Sequence, residues 1–61
     1  MTPLRIAVTG AAGRMGLTLV RHIAARDDCA LVAASERPGH DAVGQDIGAL
    51  AGLGALKIDV L

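Results

Sequence analysis

In the stretch Thr9-Gly10-Ala11-Ala12-Gly13-Arg14-Met15-Gly16 a glycine recurs at every third position, and an acid, Glu36, stands 20 residues beyond the last of them. Glycines so spaced let the main chain do chemistry that side chains would block. Gly10 can take the positive φ of a sharp turn, and Gly13 leaves no Cβ between the backbone N–H groups and a bound diphosphate. Gly16, one turn further on, reads as a packing glycine that lets a helix approach its sheet closely. Glu36 offers the complementary function, a carboxylate that can accept hydrogen bonds from both hydroxyls of an adenosine ribose. Together these residues describe a site for a nicotinamide dinucleotide.

Arg37, beside that acid, bears on which dinucleotide. Its guanidinium can pair with the 2′-phosphate of NADP, whereas Glu36 suits the free hydroxyl of NAD, so the adjacent pair predicts use of both. A charge-assisted contact contributes roughly 1.5–3 kcal/mol, about 10- to 150-fold in preference, which offsets the repulsion between acid and phosphate. Arg14, inside the turn, either flanks the pyrophosphate or cofactor ribose or is an exposed arginine at a helix start. Met15 either lines the cofactor pocket or packs. His22 and His40 have no second ligand or nucleophile at a usable spacing and read as surface histidines. Cys29 reads as a small buried hydrophobe, and Asp27, Asp28, Asp41 and Asp46 as turn and cap residues. Neither a catalytic constellation nor a metal site is expected within the chain.

The elements that must hold these groups follow from the apolar pattern. Residues 1–4 are a lead-in, with Pro3 tolerable before a ladder begins. Residues 5–9 form a short strand whose consecutive Ile6, Ala7 and Val8 predict burial on both faces, as in a central parallel strand. Over residues 13–26, Met15, Leu19 and Ile23, with Gly16, Val20 and Ala24 beside them, repeat at three and four and define one helix face. Residues 30–34 are a second uninterrupted apolar run, hence a second strand, joined through the helix and therefore parallel to the first. Beyond Arg37, Pro38-Gly39 and the close-set Gly44, Gly48, Gly52 and Gly54 predict an irregular excursion with one helical turn near residues 46–50. Residues 56–61 read as a third strand. The class is α/β, the N-terminal βαβ portion of a Rossmann-type doubly wound parallel sheet.

Composition narrows the partners. Six basic residues balance six acidic ones, so no general field attracts nucleic acid or an anionic membrane. The longest uncharged stretch, residues 47–56, is half the roughly 20 apolar residues that a spanning helix needs. Arg14 interrupts the early apolar run before a secretory signal can form. With 61 residues and no Phe, Tyr or Trp, the core must be built from small and aliphatic side chains and should be thin. The single cysteine excludes an internal disulfide and suits a reducing compartment.

The turn Gly10-Ala11-Ala12-Gly13-Arg14-Met15-Gly16, the group Glu36-Arg37-Pro38-Gly39 and the tail Gly44-Gln45-Asp46-Ile47-Gly48 with Leu50-Ala51-Gly52 together resemble the N-terminal region of the 4-hydroxy-tetrahydrodipicolinate reductase family. Ala12 stands where many members carry glycine, a change that still admits a phosphate. The resemblance implies an enzyme of the diaminopimelate route to lysine that reduces a cyclic dicarboxylate with NADH or NADPH, as a cytoplasmic homotetramer. By that likeness Gly10, Ala11, Ala12, Gly13, Arg14 and Met15 contact the cofactor, Glu36 the adenosine ribose and Arg37 the 2′-phosphate. The family's catalytic histidine and lysine and its Ser-Gly-Thr substrate segment belong to a later domain. Residues 1–61 are accordingly expected to be the first part of a dinucleotide-binding domain, with the substrate and tetramerisation domain outside this chain.

Two other readings share the turn. Extended short-chain dehydrogenases and epimerases use a similar glycine spacing with a Tyr-x-x-x-Lys pair further along, and a non-catalytic NAD(P)-sensing domain needs no acid–base pair at all. A P-loop NTPase is disfavoured because no Gly-Lys-Ser/Thr follows the turn.

Overall fold

The computed structural model describes residues 2–61. Met1, the first lead-in residue, lies outside them. The element order is β1 (Leu4–Thr9), α1 (Arg14–Ala24), β2 (Cys29–Ser35) and α2 (Ile47–Leu50). The strands pair in parallel, from Leu4 opposite Cys29 to Thr9 opposite Ser35. This is the strand, helix, strand order and the parallel sheet that the apolar runs predict.

Because the two strands end level, their C-terminal tips lie side by side, which sets the glycine turn after Thr9 next to Glu36 after Ser35. β2 has one residue more than β1, and a bulge at Val32, between the Ile6–Leu31 and Ala7–Ala33 pairs, absorbs it. Val32 is left 42% exposed within the second strand that the apolar run of residues 30–34 predicts. The bulge keeps Leu31 and Ala34 on the same face as Ile6 and Val8, toward the core.

β1 departs further from expectation. Only Val8 is buried and Ile6 half-buried, because among the described residues β1 has one neighbouring strand and α1 covers one face only. The helix also turns a different side inward. Gly16, Val20 and Ile23 are buried with Leu17 beside them, while Met15 and Leu19, assigned to the packed face, are 77% and 46% exposed. Gly16 decides this. A Cβ there would run into the Gly10 carbonyl oxygen and come within 2.6 Å of the Ala11 Cα, so the helix rests on the turn's own backbone along that stripe.

The third strand predicted over residues 56–61 shrinks to its last residues. Val60 bridges Ala34 in parallel, the Leu61 N–H donates to the Ala34 oxygen at 2.9 Å, and the Glu36 N–H donates to the Leu61 oxygen at 3.0 Å. This lies on the edge of β2 away from β1, as the third strand does in the doubly wound order. The preceding residues are drawn off by Asp46, the N-cap of α2. Its carboxylate accepts the N–H groups of Ala49 at 2.9 Å, Leu56 at 3.0 Å and Ile58 at 3.0 Å. Gly48 closes the same loop, since a Cβ on it would sit 2.8 Å from the Leu56 nitrogen. The Gly-x-Asp-x-Gly phrase is thus a clasp for the loop, and its core residues Ile47 and Ala51 join Val8, Ala11, Val20, Ile23, Ala34 and Val60 in one cluster.

Candidate dinucleotide site

The turn is fixed at each end by main-chain bonds. Gly10 has φ 61, which an L side chain adopts only with strain. The buried Ala11 then donates its N–H to the Ser35 oxygen at 3.0 Å, which ties the turn to the end of β2. The Gly13 N–H returns to the Gly10 oxygen at 3.1 Å, and the Gly13 oxygen accepts the first helical bond, from the Leu17 N–H, at 2.9 Å.

Glu36 reaches into this turn. Its Oε2 accepts the Ala12 N–H at 2.9 Å, and its Oε1 accepts the Arg37 N–H at a longer 3.3 Å. Both carboxylate oxygens are therefore oriented by main-chain donors and keep lone pairs for further donors such as vicinal hydroxyls. Residue type gave no signal for Ala12 as the partner, because any residue but proline supplies that N–H. The Ser35 carbonyl is equally silent in the sequence.

Gly13 is the N-cap of α1, with φ −77 and ψ 174, and no side chain caps this end. The first-turn N–H groups of such a helix point outward, with the positive end of the dipole behind them. No acid occupies that first turn, whereas Arg21 and His22 fall in the last, so the field of the helix is left open at the turn and balanced at the far end. A Cβ on Gly13 would meet nothing closer than the Gly10 oxygen at 3.5 Å, an ordinary contact. Packing within the chain thus requires glycine at 16, and the backbone requires it at 10, but neither requires it at 13. The main chain there is open to a group approaching from outside, and in that respect the cradle fits a diphosphate.

Arg14 and Arg37 are exposed at the turn and just beyond Glu36, and the Arg14 carbonyl accepts the Thr18 hydroxyl at 2.9 Å. Met15 is 77% exposed and lies outside the core cluster of the described residues. His22 is exposed. His40 is not simply a surface residue. It is half-buried, and its Nδ1 accepts the Ala42 N–H at 3.0 Å. Cys29 is half-buried and packs against the core from the start of β2.

Two carboxylates away from the turn are tied into the structure. Arg26 and Asp28 form a two-point ion pair at 2.8 and 2.7 Å, which lowers the Asp28 carboxyl to about 2. The N–H groups of Leu56 and Ala49, with Ile58, hold the Asp46 carboxyl below its ordinary value against the desolvation that would raise it. Among the described residues no three His, Cys, Asp or Glu side chains gather as metal ligands, and no helix is long and apolar enough to cross a membrane.

A strand, a glycine turn, a helix whose uncapped end faces that turn, and a second parallel strand with an acid at its tip define the first unit of a Rossmann-type dinucleotide-binding fold. The family of the dihydrodipicolinate reductase N-terminus matches residues 4–61, and the chain belongs to it. Curated relatives named 4-hydroxy-tetrahydrodipicolinate reductase are similar along nearly the whole chain. The Rhizobium meliloti protein is 53% identical over 58 residues, which is 95% of this chain and 24% of that protein. The Alkalilimnicola ehrlichii protein is 54% identical over 56 residues, 92% of this chain and 21% of that protein. The Afipia carboxidovorans protein is 50% identical over 60 residues, 98% and 22% respectively. The chain thus spans less than a quarter of the length of these relatives.

Proposed function

We propose that this chain is the cofactor-binding segment of an enzyme that reduces 4-hydroxy-tetrahydrodipicolinate to tetrahydrodipicolinate with NADH or NADPH, in the cytoplasmic route through diaminopimelate to lysine. The observation that carries the reading is the Glu36 carboxylate held at the Ala12 N–H, beside a helix end that neither a side-chain cap nor an acid occupies. In this reading Gly10, Ala11, Ala12, Gly13, Arg14 and Met15 line the pyrophosphate and adjacent ribose, and Glu36 accepts from the adenosine ribose hydroxyls. Arg37 meets the 2′-phosphate when the cofactor is NADPH. The bound nicotinamide supplies a hydride. This chain's residues bind and orient the cofactor, and the acid–base groups and the dicarboxylate site lie on other residues of a homotetrameric enzyme. The names of the relatives support this activity over the short-chain dehydrogenase reading.

The test is an assay of the protein at its full encoded length, following oxidation of each reduced cofactor with and without 4-hydroxy-tetrahydrodipicolinate. Substrate-dependent oxidation of both is expected. Cofactor binding without any substrate-dependent oxidation would favour a redox-sensing role instead.

A further inference from the structure

The chain that follows Glu36 is organised by His40. Arg37, Pro38, Gly39 and His40 form a turn with proline second and glycine third, Gly39 at φ 84, closed by the His40 N–H on the Arg37 oxygen at 3.1 Å. Those are the marks of a type II turn. The imidazole closes the next one, since Nδ1 accepts the N–H of Ala42, two residues on, at 3.0 Å. An aspartate or asparagine oxygen occupies that place in an Asx-turn. The His40 carbonyl in turn accepts the Val43 N–H at 3.1 Å. Ala42 is 5% exposed, so the imidazole fastens the exposed Arg37 turn to a residue fixed in the interior. Glu36 has anchors of its own outside that turn, its N–H on the Leu61 oxygen and its Oε2 on the Ala12 N–H, and only the longer 3.3 Å bond from the Arg37 N–H to Oε1 links the two.

We propose that His40 is a positioning residue for cofactor discrimination: by locking the turn after Glu36-Arg37 it fixes where the Arg37 guanidinium meets the adenosine 2′-phosphate, and so raises affinity for NADPH without changing that for NADH. The proposal rests on the assignment of Arg37 made above. Its selectivity comes from the Glu36 anchors outside the turn, because loosening the turn reaches Arg37 and leaves the shorter Ala12 and Leu61 contacts of Glu36 in place.

The experiment measures the dissociation constants of NADPH and NADH for the full-length protein and for His40→Ala, His40→Asn, Arg37→Ala and the double variant H40A/R37A. His40→Ala is expected to weaken NADPH about three- to tenfold, the range of one net hydrogen bond, while NADH stays within about twofold. His40→Asn, whose side-chain oxygen can take the Ala42 N–H, is expected to restore NADPH binding. In the Arg37→Ala background His40→Ala should add nothing for either cofactor. Equal losses of NADPH and NADH, an Asn variant no better than Ala, or unchanged NADPH affinity would each overturn the proposal. If Arg37→Ala spares NADPH, the reading of Arg37 fails and takes His40 with it. If Arg37→Ala weakens NADPH selectively and His40→Ala does not, the His40 assignment alone fails.

Discussion

The Glu36 carboxylate accepts the Ala12 N–H at 2.9 Å, a bond between residues 24 apart in the chain. It joins the tip of β2 to the glycine turn that follows β1, and it orients the acid before any ligand arrives. A sugar hydroxyl donor then finds an acceptor already immobilised, which lowers the ordering cost of binding.

Glu36→Ala should therefore weaken NADH by about 10- to 150-fold, the range for hydrogen bonds to a charged acceptor. NADPH should lose less, since its 2′-phosphate leans on Arg37 and gains from removal of a nearby negative charge. Titration of the full-length variant with both cofactors checks this. Equal losses for the two would contradict the division between the acid and the arginine.

Gly16→Ala tests the architecture beneath the site. The added methyl would press on the Gly10 carbonyl oxygen and the Ala11 Cα, both backbone atoms that cannot swing aside. Overpacking of this kind costs about 1–3 kcal/mol, and here it pushes α1 off the turn. The expected result is a lower denaturant midpoint with an unchanged slope, together with weaker cofactor binding.

Acid should loosen the loop between α2 and Val60. The Asp46 carboxyl, bonded to the Leu56, Ala49 and Ile58 N–H groups, is held below its unfolded value. The stability it contributes is fully present above the unfolded pKa and is lost as pH falls through the folded one. Asp28, lowered to about 2 by Arg26, acts in the same direction between about 4 and 2. Unfolding followed from pH 6 downward should show a decline starting near pH 4 in wild type, and a shallower decline in Asp46→Asn. A variant curve parallel to wild type would show that the clasp does not depend on the charge.

The part of this fold that could be read in the sequence is the part governed by local chemistry. Two β-branched or alanine-rich runs flanking a helical period gave the parallel unit, and the glycine spacing gave the turn. The inward stripe of α1 differs from expectation because its apolar residues cover more than half of the helix circumference, with Arg14, Thr18, Arg21 and His22 on the remainder. Periodicity then allows a Met15-Leu19-Ile23 face as readily as Gly16-Val20-Ile23, and the choice is made by the close approach of Gly16 to Gly10. The third strand is shorter than its pattern predicts because Leu56 and Ile58 have strand-like side chains, yet their N–H groups are taken by Asp46, 10 and 12 residues earlier. The bulge at Val32 is likewise a tertiary choice, whereas the imidazole bond of His40 is local and escapes notice because histidine is not among the usual side chains of such turns. At the candidate site, the glycines and Glu36 carry a residue signature and their main-chain partners do not, because any residue but proline supplies a backbone N–H.

Residues 1–61 taken alone should be marginally stable. Their core has Ile47, Val20 and Val60 as its largest fully buried side chains and no aromatic ring. A single core in a chain this short rarely supplies more than about 3–5 kcal/mol. A cooperative melt of the isolated peptide with a high midpoint, without ligand or partner, would contradict this.

Gly13→Ala isolates the proposed contact between the main chain at Gly13 and the cofactor's diphosphate, on which the function depends. The structure leaves room for that methyl, so the full-length variant should keep its stability to within the roughly 1 kcal/mol by which alanine is the poorer N-cap. Its dissociation constants for NADH and NADPH should both rise at least about tenfold, because the methyl stands between the phosphates and the helix N–H groups. A stable variant that binds both cofactors as tightly as wild type would contradict the account.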